Sequence, residues 1–378
     1  MNWNFMCPLS KIFLGILQFI FYPFSLIYQF LFWWKKISIS PKKLPVHLTI
    51  SIGNLSLGGT GKTPFTLSLS RLILEKAEAW TGQKVQVWIV SRGYGGSLSQ
   101  IGGEVENNTD PRESGDEPLL LKRNLPSVRV LVGKNRWENF LKIWKKSENL
   151  PRDPNQIPNQ SKEILDIAIL DDGFQHFAIA RDLDIVLVDS QVLLGSGFTL
   201  PIGKLREKIT ALQRADVLVL TRAPEALDPR TQKWVQNVRN RFPSLKIFTG
   251  TESPVGVRIL GNNGGWEEWG LDRLHGKSLF AFAGLGRPDP FFQSLKNLEP
   301  RTISTKAFPD HHYYSDADIQ DLIRKSKDFD YLICTEKDCV KFREDQIQEL
   351  RGQLGYLPIQ IKIWEDRDWV EFWKNVLG

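Results

Sequence analysis

The sequence predicts an α/β protein in which a parallel sheet covered on both faces by helices is followed by a second, smaller α/β domain and preceded by one hydrophobic helix. Three observations predict this. Apolar runs at Val46–Ile52, Val85–Val90, Val128–Val132, Ile164–Leu170, Ile185–Val188 and Val217–Leu220 read as buried strands. They alternate with helical patterns such as Phe65–Lys76 and Trp137–Lys146, the rhythm of a parallel sheet with crossover helices. After Arg222 a second series begins, with apolar runs at Ser278–Ala283 and Tyr331–Cys334 and helical spacing over Trp369–Leu377. A chain of 378 residues exceeds one typical domain. The expected division is 1–36 for the hydrophobic helix, 37–226 for the main domain and 227–378 for the smaller one closing over the site, with Pro224–Asp228 as the linker.

Composition narrows the class. With 42% hydrophobic and 24% charged residues the chain is globular rather than disordered or collagen-like. The net charge of +6 suits nucleic acid, anionic lipid or a phosphorylated substrate equally, because one long-range field attracts all three. The 3 cysteines have no zinc-type or disulfide-framework spacing, which fits a reducing compartment.

From Ile12 to Trp34 the chain is almost continuously apolar and carries no charge. At about 1.5 Å per helical residue this gives roughly 35 Å, enough for a hydrocarbon core of about 30 Å. Length permits spanning without requiring it. Lys11, Gln18, Ser25 and Gln29 fall on one helical stripe and Pro23 should kink it, a pattern suited to an interfacial helix or to one laying its stripe against the protein. A cleaved signal peptide fits poorly, since Trp33, Trp34, Lys35 and Lys36 follow where a small-residue site belongs. The Trp pair with the later Lys42 and Lys43 reads as an interface belt with a cytoplasmic positive flank; a buried core helix is the plainer alternative. Ser97–Ser114 and Ser147–Lys162 are polar and read as surface loops, the second as an insertion.

Directly after the first strand comes GNLSLGGTGKT, Gly53–Thr63, leading into a helix with Pro64 in its first turn. This is the order of a P-loop NTPase: Ser56, Leu57, Gly58, Gly59, Thr60 and Gly61 turn backbone amides toward the phosphates of ATP, Lys62 reaches the β and γ phosphates, and Thr63 ligates Mg²⁺. Ser56 stands where the strict motif has glycine. A carboxylate at the end of another strand should sit near the metal, and Asp171 and Asp172 of ILDIAILDDGFQH occupy that place. An Asp-Gly turn is the plainer reading of the same residues.

GNLSLGGTGKT together with SRGYGG at 91–96, GDEP at 115–118, GKNR at 133–136, LDDGFQH at 170–176, GKLRE at 203–207, FPDHH at 308–312 and TEKDCVK at 335–341 resembles the tetraacyldisaccharide 4'-kinase family over nearly the whole chain. The resemblance implies transfer of the γ-phosphate of ATP, with Mg²⁺, to the 4'-hydroxyl of an acylated glucosamine disaccharide 1-phosphate at the cytoplasmic face of the bacterial inner membrane, the protein being peripheral or anchored by its one helix. It implies Asp116 as general base and His311 as its support, Lys62 and Arg206 at the phosphates, and Thr63, Asp171, Asp172 and Glu207 near the metal. Partners are then the lipid acceptor and the membrane surface, with no nucleic acid and no protein partner implied. Lys204 and Lys208 flank the LRE core where the family commonly has proline, and Cys339 replaces a small residue. Three other readings compete. A membrane-bound NTPase switch would share the loop, although TEKD at 335–338 is no guanine signature; a kinase of a soluble metabolite leaves the first helix unexplained; a non-catalytic adaptor predicts no nucleotide binding.

Overall fold

The computed structural model describes residues 8–147 and 164–378, with side chains from residue 21 onward except those of Ser147 and Glu344. Apart from Ser147, the expected insertion at 147–162 lies outside the described residues, as does Cys7. In chain order the helices are α1 (Pro8–Ile37), α2 (Lys62–Thr81), α3 (Leu98–Ile101), α4 (Pro111–Ser114), α5 (Asp116–Asn124), α6 (Arg136–Ser147), α7 (Pro229–Arg241), α8 (Asp289–Lys296), α9 (Asp316–Ser326), α10 (Glu336–Cys339), α11 (Glu344–Ile347) and α12 (Asp366–Leu377). The strands of the first half are β1 (Leu48–Asn54), β2 (Lys84–Ser91), β3 (Gly103–Val105), β4 (Arg129–Val132), β5 (Ile164–Asp171), β6 (Leu183–Asp189), β7 (Val217–Thr221) and β8 (Lys246–Pro254). Those of the second half are β9 (Val257–Leu260), β10 (Trp266–Trp269), β11 (Ser278–Ala283), β12 (Thr302–Ala307), β13 (Tyr331–Thr335), β14 (Leu354–Leu357) and β15 (Ile359–Ile363).

Two sheets organise these elements. The first has nine strands in the order β15-β8-β7-β6-β1-β5-β2-β4-β3, parallel except at its two edges. β1 lies between β5 and β6, with Ile52 beside Asp171 and Asn54 beside Leu187, so the loops leaving β1, β2, β5, β6 and β7 gather at one edge. Ile50 and Ile52 are fully buried, packing with Phe65 and Ile73 of α2 and Trp373 of α12; each such side chain contributes about 1.5–3 kcal/mol. The opposite face is covered by Phe140 and Trp144 of α6 and by Val235 and Val238 of α7. Covering both faces explains why the strands are continuous apolar runs rather than alternating ones.

The second sheet has six strands, β10-β9-β14-β13-β11-β12, with α8 on one face and α9 on the other. It takes up residues from β9 to β14 only. β8 and β15 pair with each other in the first sheet, Ile361 beside Glu252, and α7 and α12 pack on that sheet. The division expected between 226 and 227 therefore precedes elements of the first sheet, because Pro224–Asp228 is a strand-to-helix turn in which Asp228 caps α7 through the amides of Arg230 and Thr231. Turn and linker share one composition.

Ser97–Ser114 is more ordered than a loop. It holds α3, β3 and α4, the last capped by Asp110, which accepts from the amide of Arg112 at 2.7 Å. These elements are too short to leave a periodic pattern.

Among the described residues no helix is long and apolar enough to cross a membrane. α1 instead lies against the protein through part of its polar stripe: Ser25 and Gln29 hydrogen-bond the Thr199 hydroxyl at 2.7 and 2.9 Å. Phe32 packs edge-on to Phe177, while Phe24, Ile27, Phe30, Leu31, Trp33 and Trp34 stay exposed.

Candidate active site

The glycine loop leaves β1 at Asn54 and is held from several sides. The Asn54 amide donates to the Thr60 hydroxyl at 3.0 Å, and the Thr221 hydroxyl donates to the Thr60 carbonyl at 3.0 Å. Ser56 bridges to Leu205, and the Leu57 amide donates to the Lys204 carbonyl at 2.7 Å. The serine thus lies in a short extended pairing, a conformation that does not call for glycine. Gly61 does call for it, with φ of 79°, the left-handed region, and a Cβ there would collide with the Glu252 carboxylate. α2 begins immediately afterwards with Lys62 and Thr63, so its free amides and positive dipole end face the loop.

Two cations converge on one carboxylate. Lys62 Nζ lies 3.6 Å from Asp172 Oδ1, and Arg206 Nη1 donates to Asp172 at 3.0 Å. Burial works against the charge of Asp172, but Lys62 and Arg206 outweigh it and hold the carboxyl below its usual range. Asp172 has φ of 48°, which turns it out of the strand while Asp171 stays in it.

Asp171 is buried. The Ser91 hydroxyl donates to its Oδ2 at 3.1 Å, while Oδ1 is buried without a hydrogen-bond partner among the described residues. Burial, with Glu117 and Asp172 nearby, pushes its carboxyl up to about 6. A buried oxygen without a partner costs stability unless something binds it. Mg²⁺ commonly takes one or two carboxylates, with phosphate and water oxygens as further ligands. Asp171, Asp172 and the Thr63 hydroxyl fit that donor set. Glu207 is engaged differently: it pairs with Arg214 and accepts from Gln175 Nε2 at 3.0 Å, and Gln175 Oε1 accepts from Arg206.

Asp116 and His311 meet although 195 residues separate them, with Nδ1 to Oδ2 at 3.0 Å. Asp116 opens α5 in the first unit, and His311 sits in the turn after β12 in the second, with φ of 58°. The bond to Asp116 raises the imidazole's affinity for a proton. Burial opposes ionisation of Asp116, but the His311 bond and Lys337 prevail and hold its carboxyl below the ordinary value. An ionised carboxylate oriented by an imidazole can accept a proton from a hydroxyl.

A family model described as tetraacyldisaccharide-1-P 4'-kinase matches residues 17–377. The chain belongs to the tetraacyldisaccharide 4'-kinase family. The tetraacyldisaccharide 4'-kinase of Leptospira biflexa is 34% identical over 364 residues, covering 91% of each chain. That of Syntrophobacter fumaroxidans is 38% identical over 311 residues, covering 79% of this chain and 72% of the other. A crystal structure of LpxK from Aquifex aeolicus in complex with ATP superposes with a TM-score of 0.67 at 28% identity, covering 96% of this chain and 100% of that one.

Sequence reasoning missed several residues around this 4'-kinase site. Ser91 holds Asp171, and buried Arg136 donates to the Asp172 carbonyl at 3.3 Å; both stood in quoted motifs without a role. Arg222 donates to the Gly59 carbonyl at 2.9 Å and to Asp189 at 2.8 Å, and pairs with Glu252. Its one signal was a position directly after an apolar strand. Lys337 and Lys341 of TEKDCVK reach Asp116 at 3.8 and 3.9 Å. A lysine flanked by Val340 and Phe342 was the available hint, since an ammonium among apolar neighbours needs a buried partner.

Proposed function

We propose that the chain transfers the γ-phosphoryl group of ATP to the 4'-hydroxyl of an acylated glucosamine disaccharide 1-phosphate. As a member of its family it is a kinase with ATP as phosphoryl donor. The observation that carries the residue-level reading is the convergence of Lys62 and Arg206 on Asp172 at the strand edge from which the glycine loop leaves.

In this reading residues 56–63 form a P-loop whose amides, with Lys62, take the β and γ phosphates. Bound Mg²⁺ would neutralise charge on the transferring group, held by Thr63, Asp171 and Asp172. Glu207 joins that set only by exchanging Arg214 for the metal; paired as it is, it steadies Arg206 through Gln175. Arg206 moves from Asp172 toward the phosphoryl oxygens as charge develops there. Because the transition state is loose, positioning and charge stabilisation carry most of the rate. Asp116, oriented by His311, takes the acceptor's hydroxyl proton. Glu117 next to it lies near enough to Asp171 to raise that carboxyl, which links the base to the metal side. The second unit, β9 to β14 with its helices, closes over the site by supplying His311.

The exposed aromatic face of α1 rests on the cytoplasmic face of the inner membrane, where a lipid acceptor resides. Tyr28 of that helix donates to the Arg206 carbonyl at 3.1 Å, a direct contact between the membrane-facing element and the phosphate side.

The test is label transfer from γ-labelled ATP to the acylated disaccharide 1-phosphate. Lys62→Ala should cost on the order of a hundredfold or more, and Asp116→Ala about 10²- to 10⁴-fold. Label transfer surviving either change removes that residue from the mechanism. Rapid ATP hydrolysis without acceptor would favour a switch ATPase instead.

A further inference from the structure

Asp116 is 4% exposed, yet it is ringed by charge. On its own helix Glu117 follows it; from the turn after β12 come His311 at 3.0 Å, with Asp310 near the same imidazole, and Tyr313 within electrostatic reach. From α10 comes Lys337, whose ammonium lies 3.8 Å from Asp116, 3.0 Å from Glu117 and 3.5 Å from His311 Nε2. Just beyond α10 comes Lys341, its side chain fully buried, 3.9 Å from Asp116 and 2.9 Å from Asp338.

Asp338 explains how a buried ammonium is held there. It is itself fully buried, and it accepts from the Thr335 hydroxyl at 2.6 Å and from the Gly284 amide at 2.9 Å, anchors on β13 and on the loop after β11. Lys341 is therefore fixed between two buried carboxylates, one from each unit of the fold. A buried carboxylate tends to keep its proton, and one that keeps its proton cannot accept another. Neighbouring cations reverse that tendency.

We propose that Lys341, with Lys337, is a positioning residue for the kinase reaction, keeping Asp116 ionised and aligned with His311 so that the base is complete only when both units are docked. This rests on the reading of Asp116 as base. In the step concerned, the acceptor oxygen bonds to the γ-phosphorus, the bond from that phosphorus to the β–γ bridging oxygen breaks with its electron pair leaving on ADP, and the hydroxyl proton passes to Asp116. The lysines touch neither reacting atom; they set the protonation state from which the step begins.

The experiment is the pH dependence of kcat/KM for Lys341→Met, Lys341→Arg and Lys337→Met, with KM for ATP measured in parallel. The expected result for Lys341→Met is an acid limb moved up by about one unit, hence roughly tenfold lower activity below that limb, with KM for ATP unchanged. Lys341→Arg should bring the limb back, and Lys337→Met should move it the same way. Should Lys341→Met alone not fold because Asp338 loses its partner, Lys341→Met with Asp338→Asn removes both buried charges and should show the same displaced limb. A limb that stays with the wild type in the folded lysine variants, whatever happens to kcat or melting temperature, overturns the inference and leaves a purely structural ion pair. Asp116→Ala tells the two levels apart: full transfer by that variant overturns the base assignment itself, whereas an inactive Asp116→Ala beside an unmoved limb overturns only the role of the lysines.

Discussion

Arg222 donates to the Gly59 carbonyl at 2.9 Å, tying the end of β7 to the middle of the glycine loop. The same guanidinium binds Asp189 at the end of β6 and Glu252 on β8, and Arg222 holds a left-handed backbone with φ of 53°. A non-glycine residue in that region is strained and persists when its surroundings over-determine it. Hydrogen bonds to a charged group contribute about 1.5–3 kcal/mol. Arg222→Ala is thus expected to raise KM for ATP about tenfold or more while leaving KM for the lipid acceptor in place; a fluorescent ATP analogue checks the first half and acceptor titration the second.

Gly61→Ala should be harsher than its one added methyl suggests. The left-handed backbone alone costs roughly 1–2 kcal/mol for a residue with Cβ, and the methyl meets Glu252 as well. The variant should lose ATP binding in calorimetry. Adding Glu252→Ala should recover only part of it, because the collision is relieved and the backbone strain is not.

His176 gives the fold an acid sensitivity of its own. Burial, with Arg136 and Arg181 beside it, pushes its imidazole down from 6.5 to about 3, and Nε2 is buried without a hydrogen-bond partner among the described residues. The unfolded chain therefore binds this proton more readily. Stability from His176 is present in full above about pH 6.5 and is lost as pH falls toward 3, by about 1.4 kcal/mol per unit. Urea unfolding between pH 7 and 5 should show that slope, and His176→Gln should flatten it; an equal slope in the variant would mean His176 is charged in the fold.

Tyr28 and the Trp33–Trp34 pair separate two roles of α1. Tyr28→Phe removes the bond to the Arg206 carbonyl, worth about 1 kcal/mol, and should lower kcat several-fold without changing vesicle association. Replacing the exposed Trp33 and Trp34 with alanine should weaken association with anionic vesicles in a flotation assay while sparing kcat at saturating acceptor.

What the sequence made legible was whatever is written locally. The passage from β1 through the glycine loop into α2 could be read because strand, turn and helix are contiguous. Asp171 and Asp172 were legible for the same reason. The pairing of Asp116 with His311 was not: their spacing of 195 residues carries no periodic signal, and only the resemblance to a family brought them together. The supports behind the site were hidden more deeply. Arg222 and Ser91 meet partners on other strands and Lys341 meets carboxylates on α5 and α10, and a single arginine or lysine looks the same on paper whether it is solvated or clamped. The pairing of β8 with β15 was not legible because an entire second sheet separates them along the chain, so no local pattern marks them as neighbours.

That separation has a mechanical consequence. The chain leaves the nine-stranded sheet after Pro254 and rejoins it at Ile359, and those two residues are direct ladder partners. The six-stranded body is therefore hung from a pair of adjacent strings, tied off by 255–256 on one side and Pro358 on the other. His311, Lys337 and Lys341 all belong to that body, so their places beside Asp116 depend on it together. A cut anywhere inside the suspended body would leave both fragments still moored to the nine-stranded sheet.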